Sequence, residues 1–455
     1  MTTIEGGPGP RADASWAARA LWWHVYPLGF VGAQIRPADP DAHLAGPVEH
    51  RLGHLEAWLD HVVDLGLDGL LLGPVFASQT HGYDTVDHLR VDPRLGDEAD
   101  LVRLVDAAHT RGVRVVLDGV FNHVGRGHPA FRLVEEQGPG APTAELFRID
   151  WTGWAAGQPV RADVFEGHGA LVALDHDSPA VDDLVVEAMC HWLARGVDGW
   201  RLDAAYAVPP AFWARVLPRV RDRFPGAWFL GEVIHGDAQA IVRESGIDTL
   251  TQYELWQGIW HAIADRNLYE LAHAIGRHDD LLETFVPQTF VGNHDVTRIA
   301  SAVGADRVPH ALAVLLTVAG TPSLYAGDEY AWTGVKEQRE GGDDAVRPRF
   351  PQRPPAPDDL DGTARRVLDV TRTLVGMRRR LPWLTTARTD VLHLDNTALV
   401  LRTGTGFGAV VTALNLGDEP VGLPAADART TVAGDAHLEP GVVHLPARGW
   451  AVLEA

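Results

Sequence analysis

Short apolar runs alternate with segments of helical period along most of this chain of 455 residues. Between the runs, apolar residues recur every three or four positions, as in residues 50–66 and 97–112, and this spacing predicts amphipathic helices. The apolar runs lack such a period and predict buried strands. The predicted strands are residues 22–30, 69–76, 113–121, 198–204, 228–234, 249–255, 289–295 and 322–329.

Continuously apolar strands joined by helices indicate a parallel sheet that is buried on both faces. Eight such units predict an α/β fold, a (β/α)8 TIM barrel formed by residues 20–121 and 173–384. A doubly wound sheet gives the same local pattern and stays open as the alternative at this point.

The regular alternation breaks twice, at residues 122–172 and at residues 385–455. Residues 122–172 are rich in Gly, Pro and His and are too long for an ordinary loop, so we expect a short inserted subdomain after the third strand. Residues 334–362 lack periodicity and predict a surface loop. Residues 385–455 alternate in short runs and predict a C-terminal antiparallel β-sandwich. Residues 1–19 predict a flexible leader.

Charge and composition exclude several classes of protein. The chain has 61 acidic and 39 basic residues, a net charge of −22, which argues against a nucleic-acid partner or an anionic membrane surface. Its one cysteine, Cys190, excludes an intramolecular disulfide. No signal-peptide pattern and no run of about 18 apolar residues is found, so we expect a cytoplasmic protein without a membrane anchor.

Carboxylates follow several predicted strands at the point where each strand ends. Asp203, Glu232 and Asp295 come from the fourth, fifth and seventh strands, and Arg201 precedes Asp203 by two residues. In a barrel these ends meet at one mouth. Like charges at short range raise the pKa of one carboxyl, which leaves one group protonated and another ionised near neutral pH. Glycoside cleavage needs one protonated carboxyl group and one ionised carboxyl group.

Four short segments, in order, resemble the motifs of the α-amylase family: DGVFNH (118–123), GWRLDA (199–204), GEVI (231–234) and FVGNHD (290–295). The resemblance covers about residues 20–350 and is nearest to the branch of cyclomaltodextrinases, maltogenic amylases and cyclic maltosyl-maltose hydrolases. It implies a retaining α-glucosidase mechanism with Asp203 as nucleophile, Glu232 as acid/base and Asp295 as the third carboxylate. Arg201 is then expected to keep the nucleophile ionised.

The same resemblance implies substrate-binding roles for five further residues. His123 and His294 are expected to donate to sugar hydroxyls, Tyr83 to stack beneath the sugar with Asp84 beside it, and His235 to line a leaving-group subsite. Taken singly, each of these is more often a packed or surface residue, and for His235 the two interpretations are evenly matched. The constellation as a whole favours function.

The chain departs from the family pattern where a structural calcium ion is often held. Asn122 matches one ligand, but Tyr206 and Ala207 stand where a Lys-His pair is usual. We therefore predict no metal and no cofactor, with calcium as the open alternative.

The sequence predicts hydrolysis of cyclic or short α-linked malto-oligosaccharides. A transglycosylase or isomerase of the same family is the alternative, and a catalytically inactive binding subunit is a remote one. A dinucleotide-dependent oxidoreductase lacks its main support, because no GxGxxG follows the first predicted strand. The expected partner is the oligosaccharide, and a homodimer is left open.

Overall fold

The computed structural model describes residues 16–406 and 408–455. Within this part of the chain, a parallel sheet contains eight strands that run in the spatial order β6-β5-β4-β3-β2-β1-β8-β7. A parallel bridge between Thr251 and Gln288 joins its two ends. This closure confirms the barrel and excludes a doubly wound sheet. The strands are β1 (Trp22–Val25), β2 (Gly69–Leu72), β3 (Arg114–Gly119), β4 (Gly199–Leu202), β5 (Trp228–Gly231), β6 (Thr249–Leu250), β7 (Gln288–Phe290) and β8 (Thr321–Tyr325).

Helices cover the outside of the barrel with their apolar faces turned inward. The helix Glu98–Thr110 begins with a capping box in which the Asp97 carboxylate accepts from the Asp100 backbone N–H at 3.0 Å. Its buried residues recur at helical spacing, as the sequence predicts. The longer helices of the barrel are Glu98–Thr110, Pro179–Leu193, Pro210–Arg221, Ala238–Ser245, Tyr253–Asp265, Leu268–Leu281, Val308–Leu315 and Gly362–Arg380. The shorter ones are Pro27–Phe30, Gly53–Glu56, Leu59–Asp64 and Ile299–Val303.

An indole cluster closes the amino end of the barrel. The rings of Trp22 and Trp228 stack at 4.8 Å, and the ring of Trp16 meets each of them edge-on at 6.0 Å. Ala17–Arg19 form a 3-10 helix, and Ala17 is buried. The expected flexible leader, residues 1–19, is therefore wrong for residues 16–19, because they bury apolar surface. Residues 1–15 lie outside the described part.

The sixth strand is shorter than predicted. It ends at Leu250, and a helix starts at Tyr253, inside the segment 249–255 that was predicted as one strand. The Gln252 side chain accepts from the Glu254 backbone N–H at 3.2 Å and caps this helix. The early end of the strand places Tyr253 at the mouth of the barrel.

The segment between β3 and β4 forms a small unit over the mouth. Its strands His123–Gly125 and Leu171–Ala173 pair antiparallel near its two ends, and the helix Pro129–Gln137 lies between them. Phe131 packs edge-on against Phe147 at 5.1 Å between ring centroids. Phe131 and Phe147 belong to the same buried cluster as the barrel core, so the unit packs directly onto the barrel.

The C-terminal residues form two antiparallel sheets. One has the order β9-β10-β11-β16-β13 and the other β12-β15-β14. Apolar side chains of both sheets, among them Val400, Val411, Leu423 and Val443, share one buried cluster, as in a β-sandwich. The strands are β9 (Arg388–Leu394), β10 (Ala398–Thr405), β11 (Gly408–Asn415), β12 (Val421–Pro424), β13 (Thr430–Gly434), β14 (His437–Glu439), β15 (Val442–Leu445) and β16 (Trp450–Glu454).

The segment after β8 is not only a surface loop. Val346 and Arg347 are buried, and the Tyr325 hydroxyl donates to the Val346 carbonyl at 2.9 Å. This part of residues 334–362 therefore reaches the barrel mouth. No helix in the described part of the chain is long and apolar enough to cross a membrane.

Candidate active site

The three predicted carboxylates meet at the carboxyl end of the barrel. Asp203 follows β4, Glu232 follows β5, and Asp295 lies in the segment after β7. Asp203 and Glu232 are buried, whereas the Asp295 side chain keeps 31% of its surface exposed. Parallel strands of a barrel end at one mouth, so this arrangement follows directly from the strand positions.

One guanidinium lies among three of the carboxylates in this mouth. Arg201 Nη1 donates to both oxygens of Asp118 at 2.6 Å and to Asp203 Oδ1 at 3.2 Å. Its Nη2 is 2.6 Å from Glu232 Oε1. The sequence predicted that Arg201 serves the nucleophile, but its shorter contacts are to Asp118 and Glu232.

A single cation does not neutralise three buried carboxylates, so the cluster favours uptake of a proton. Burial raises the pKa of Asp203 well above its ordinary value, and the negative charge of Glu232 adds to this, against the opposing effect of Arg201. The raised pKa of Asp203 favours one protonated carboxyl group within this cluster. A paired acid and carboxylate is the combination that glycoside cleavage uses.

Besides Arg201, two donors orient Glu232. The Tyr253 hydroxyl donates to Oε1 at 3.0 Å, and the backbone N–H of Ala204 donates to Oε2 at 3.1 Å. Asn293 Nδ2 donates in turn to the Tyr253 oxygen at 3.0 Å. Ala204 has φ 46°, a left-handed conformation that is costly for a residue with a Cβ and that aims its N–H at the carboxylate.

Asp295 is held by His294 and Arg347. Its Oδ2 is 2.9 Å from His294 Nε2, and its Oδ1 accepts from Arg347 Nη2 at 2.7 Å. Burial raises the pKa of Asp295, but the charges and hydrogen bonds of His294 and the charges of Arg347 and Arg201 outweigh this, so the pKa lies well below its ordinary value. Asp295 therefore stays ionised.

An aromatic stack forms the wall beside Asp295. The His294 ring lies nearly parallel to those of Tyr83, at 5.5 Å, and Tyr26, at 5.9 Å. The Tyr83 hydroxyl contacts His294 Nε2 and donates to Asp118 at 3.1 Å. His24 also lies against this ring, with its Nε2 3.2 Å from His294 Nδ1. Tyr83 alone of these rings is partly exposed and offers a face to a ligand.

The remaining predicted residues stand apart from the carboxylates. Asp84 is buried and accepts from the backbone N–H of Thr80 at 3.0 Å and from its hydroxyl at 2.6 Å, so its carboxylate is used inside its own loop. His123 Nε2 is 3.0 Å from the Tyr83 carbonyl, and burial lowers the pKa of its imidazole to about 4. His235 is exposed, with its ring 4.8 Å from that of Tyr206.

Two residues that contact the carboxylates of this mouth were not predicted from the sequence. Tyr253 lay inside a predicted strand, and Arg347 lay in a segment without periodicity. The DDAVRP segment (343–348), which is similar to the family pattern after the eighth strand, was the signal available for Arg347.

Two side chains at the expected calcium position make hydrogen bonds within the protein. The Asn122 amide nitrogen is 3.0 Å from His123 Nδ1, and Tyr206 donates its hydroxyl to Glu166 at 2.8 Å. In the described part of the chain, the one group of three acidic or imidazole side chains with converging ligand atoms is His50, Asp97 and Asp100, on another side of the barrel. No catalytic step is routed through a metal.

The fold and this mouth define a (β/α)8-barrel protein with carboxylates clustered at the ends of its strands. The family model for the catalytic domain of α-amylases matches residues 52–368. The chain belongs to the α-amylase family.

The relatives of this chain are longer proteins. It is 30% identical to the maltogenic α-amylase of Bacillus acidopullulyticus over 341 residues, which is 71% of this chain and 58% of that protein. It is 30% identical to the α-amylase MalA of Haloarcula japonica over 460 residues, 96% of this chain and 62% of that one. The chain thus spans about three fifths of the length of these curated relatives.

Solved structures with the same fold cover the whole chain. A debranching enzyme of Nostoc punctiforme, soaked with acarbose, has a TM-score of 0.79 at 26% identity, with 97% of this chain and 99% of that chain covered. The cyclic α-maltosyl-(1→6)-maltose hydrolase of Arthrobacter globiformis, in complex with its cyclic sugar, has a TM-score of 0.80 at 24% identity and the same coverage. The second likeness concerns the fold alone.

Proposed function

We propose that this protein is a retaining glycoside hydrolase that cleaves α-glucosidic bonds in cyclic or short malto-oligosaccharides. The observation that carries the proposal is the pair formed by Asp203 and Glu232, two buried carboxyl groups on neighbouring strands that contact the same guanidinium. Carboxyl groups held close together fit a covalent intermediate, because wider pairs leave room for a water molecule between carboxylate and sugar.

In the first step, the Asp203 carboxylate attacks the anomeric carbon while Glu232 donates its proton to the glycosidic oxygen. The bond between the anomeric carbon and that oxygen breaks, and an ester to Asp203 forms. The leaving sugar departs with the proton as a free hydroxyl. This step requires an ionised Asp203 and a proton on Glu232 when the sugar is bound.

In the second step, the Glu232 carboxylate takes a proton from water, and the water oxygen attacks the anomeric carbon. The ester bond breaks and Asp203 leaves as a carboxylate. Two inversions give net retention of the α configuration. The N–H of Ala204 and the Tyr253 hydroxyl hold the Glu232 carboxylate in one place through both steps.

Asp295 and the aromatic wall bind the sugar between the two carboxyls. Asp295, held ionised by Arg347 and His294, accepts hydrogen bonds from two sugar hydroxyls. These bonds strengthen as positive charge develops on the sugar ring. The exposed face of Tyr83 stacks against the apolar face of the ring. His123 takes part only if its N–H is shared between a sugar hydroxyl and the Tyr83 carbonyl.

The names of the relatives support the substrate class. Besides the maltogenic α-amylase, they include a cyclomaltodextrinase from a Bacillus species, 29% identical over 344 residues. A relative from Bacillus subtilis, 27% identical, is named an intracellular maltogenic amylase, which supports the proposal that the protein acts in the cytoplasm.

Purified protein incubated with β-cyclodextrin, cyclic maltosyl-maltose, maltotriose and soluble starch tests the proposal, with Asp203→Ala as control. We expect linear sugars from the cyclic or short substrates, starch attacked more slowly, and no products from the variant. Products longer than the starting sugar identify a transglycosylase instead. No products from any of the four sugars refute the proposed activity.

A further inference from the structure

A buried ion pair joins the segment that carries Asp295 to the end of β8. Arg298 Nη1 donates to Asp328 Oδ1 at 2.8 Å, and the two side chains keep only 0% and 1% of their surface exposed. The same nitrogen donates to the Ala326 carbonyl at 2.9 Å, and the guanidinium packs over the Tyr325 ring at 4.3 Å. Neither residue of the pair can contact a sugar in the mouth, so any effect on catalysis passes through its neighbours.

The carboxylate of the pair packs against the backbone that leads to Asp295. A Cβ atom on Gly292 would lie 2.4 Å from Asp328 Oδ2, so this close approach requires a glycine. The next residue, Asn293, donates from its Nδ2 to the Tyr253 hydroxyl at 3.0 Å and accepts the Asp295 N–H on its Oδ1 at 2.8 Å. The position of Asp328 therefore limits where Asn293 and Asp295 can lie.

The backbone of Arg298 also holds the segment that supplies Arg347. The Arg298 N–H donates to the Gly334 carbonyl at 3.0 Å. Gly334 packs against the Ala345 carbonyl so closely that a Cβ atom on it would lie 2.3 Å from this oxygen. Arg347, the partner of Asp295, follows two residues later. Arg298 therefore supports both the segment of the third carboxylate and the segment of its cation.

Stability alone gives little reason for this pair. Arg298 Nε and Nη2 and Asp328 Oδ2 are buried and have no hydrogen-bond partner in the described part of the chain. Burial raises the pKa of Asp328 to about 7, so the charge of this carboxylate is costly where it lies. A buried ion pair with unsatisfied atoms contributes little net stability, because both charges have lost their water. The contacts of the pair point instead to a role in holding Gly292.

A second pair, at the opposite end of the barrel, has the same kinds of contact. Arg221 donates to Asp248 at 2.8 Å and to the Gly246 carbonyl at 2.9 Å, and its guanidinium packs over the Phe229 ring at 4.8 Å. Asp248 directly precedes β6, so it lies at the amino ends of the strands, away from the catalytic carboxylates. This pair provides a matched control for effects on folding alone.

We propose that Arg298 and Asp328 are positioning residues for the third carboxylate. They hold the backbone at Gly292 and thereby fix Asn293 and Asp295 in the mouth. The inference rests on the proposed function, because Asp295 acts there on the transition state. Without the pair, the barrel keeps its strands but the segment after β7 is free to move, so the Asp295 carboxylate meets the sugar hydroxyls at the wrong distance. Catalysis then falls, because a small displacement of an aligned group is costly.

The first test removes the contact and then restores its shape. Asp328→Ala should lower kcat/KM for an aryl α-maltoside about tenfold, mainly through kcat, after each rate is corrected for the folded fraction measured by circular dichroism. Asp328→Asn should recover most of the loss, because the amide keeps the contact with Gly292 and an oxygen that accepts from Arg298. Asp248→Ala, the matched control, should keep the kcat of the wild type although it removes a comparable ion pair.

The second test shows whether the pair acts through Asp295. Asp328→Ala is combined with Asp295→Asn, and the two changes form a double-mutant cycle. We expect Asp328→Ala to lower kcat/KM about tenfold alone and to have almost no further effect when Asp295 is already changed, since the positioned charge is then absent. A general loosening of the fold lowers the rate by the same factor in both backgrounds.

Equal losses in both backgrounds, a loss of the same size in Asp248→Ala, or a wild-type kcat in Asp328→Ala overturns the proposal. If Asp328→Ala does not fold, Gly292→Ala, which pushes the segment away from the carboxylate, replaces it in the cycle, and the same outcomes apply. If Asp295→Asn is too slow to measure, the recovery in Asp328→Asn decides, and its absence overturns the proposal. A wild type inactive on the aryl α-maltoside and on maltotriose refutes the proposed function instead, and the inference falls with it.

Discussion

We expect Arg347 to keep Asp295, the third carboxylate, in position and ionised, although the two residues lie far apart in the chain. Its Nη2 donates to Asp295 at 2.7 Å, and its Nε donates to the His294 carbonyl at 2.9 Å. The side chain is buried, and the guanidinium packs over the Tyr26 ring at 4.6 Å. Arg347→Ala removes both hydrogen bonds and leaves Asp295 with His294 as its remaining direct partner.

A hydrogen bond to a charged group contributes about 1.5–3 kcal/mol. The Asp295 side chain is 31% exposed, so water replaces part of the lost interaction and we take a value of about 2 kcal/mol. If Asp295 acts on the transition state, kcat/KM falls about thirtyfold. Arg347→Lys keeps the charge but not the planar fork, so we expect a smaller loss, about tenfold.

The pH dependence gives a second readout. Arg347 is one of the groups that hold the pKa of Asp295 below its ordinary value, so its removal raises that pKa. The acid limb of kcat/KM reports the raised pKa of the Asp203 nucleophile, so the change at Asp295 is followed through the pH dependence of unfolding in urea instead. A lowered carboxylate pKa adds stability above the unfolded value of 3.8 that is lost as pH falls, so the variant should also be less stable at neutral pH.

The assay is hydrolysis of an aryl α-maltoside across pH, with Arg349→Ala as the control because Arg349 is an exposed neighbour. We expect Arg349→Ala to match the wild type in both rate and pH profile. An Arg347→Ala variant with unchanged kcat/KM and an unchanged pH dependence of its unfolding in urea would refute the role given to Asp295 and its ion pair.

Three further changes follow from the contacts. Tyr253→Phe removes a donor to Glu232, so kcat should fall about tenfold. Steady-state kinetics measures this, with Tyr269→Phe at an exposed position as the control, and an unchanged kcat in Tyr253→Phe would contradict it. Arg378→Met removes three buried hydrogen bonds to backbone carbonyls, so the free energy of unfolding in urea should fall by about 3 kcal/mol, and an unshifted midpoint argues against it. Burial, with the charge of Glu329, raises the pKa of Asp328 to about 7 despite Arg298. A raised carboxylate pKa contributes stability below the unfolded value of 3.8, and this stability is lost as pH rises to about 7. In Asp328→Asn, the free energy of unfolding in urea should therefore fall less steeply with rising pH, and a pH dependence equal to that of the wild type would be evidence against it.

The sequence predicted the barrel and its three carboxylates for one physical reason. In a parallel barrel every strand ends at the same mouth, so Asp203, Glu232 and Asp295 converge whatever the loops do. The end of this alternation at residue 385 predicted the C-terminal sandwich, because short runs of alternating residues replace the helical spacing there.

The positions of strand ends do not predict the direction of a side chain or the path of a loop. Arg347 lies in a segment without periodicity, so the sequence does not place its guanidinium. The structure shows that this guanidinium donates to Asp295. Asp84 was expected beside the sugar. Its carboxylate instead accepts two hydrogen bonds from Thr80 in the same loop. His24 lies against His294, because only β8 separates β1 from β7 in the sheet.

The most direct test of the account is to trap the covalent intermediate. A fluorinated maltosyl fluoride forms the ester but hydrolyses it slowly, so the modified protein can be digested and its labelled peptide sequenced by mass spectrometry. The account predicts a stoichiometric label on Asp203 that is absent from Asp203→Ala. A label on Glu232 or on another residue, or turnover without any label and with inversion at the anomeric carbon, would contradict it.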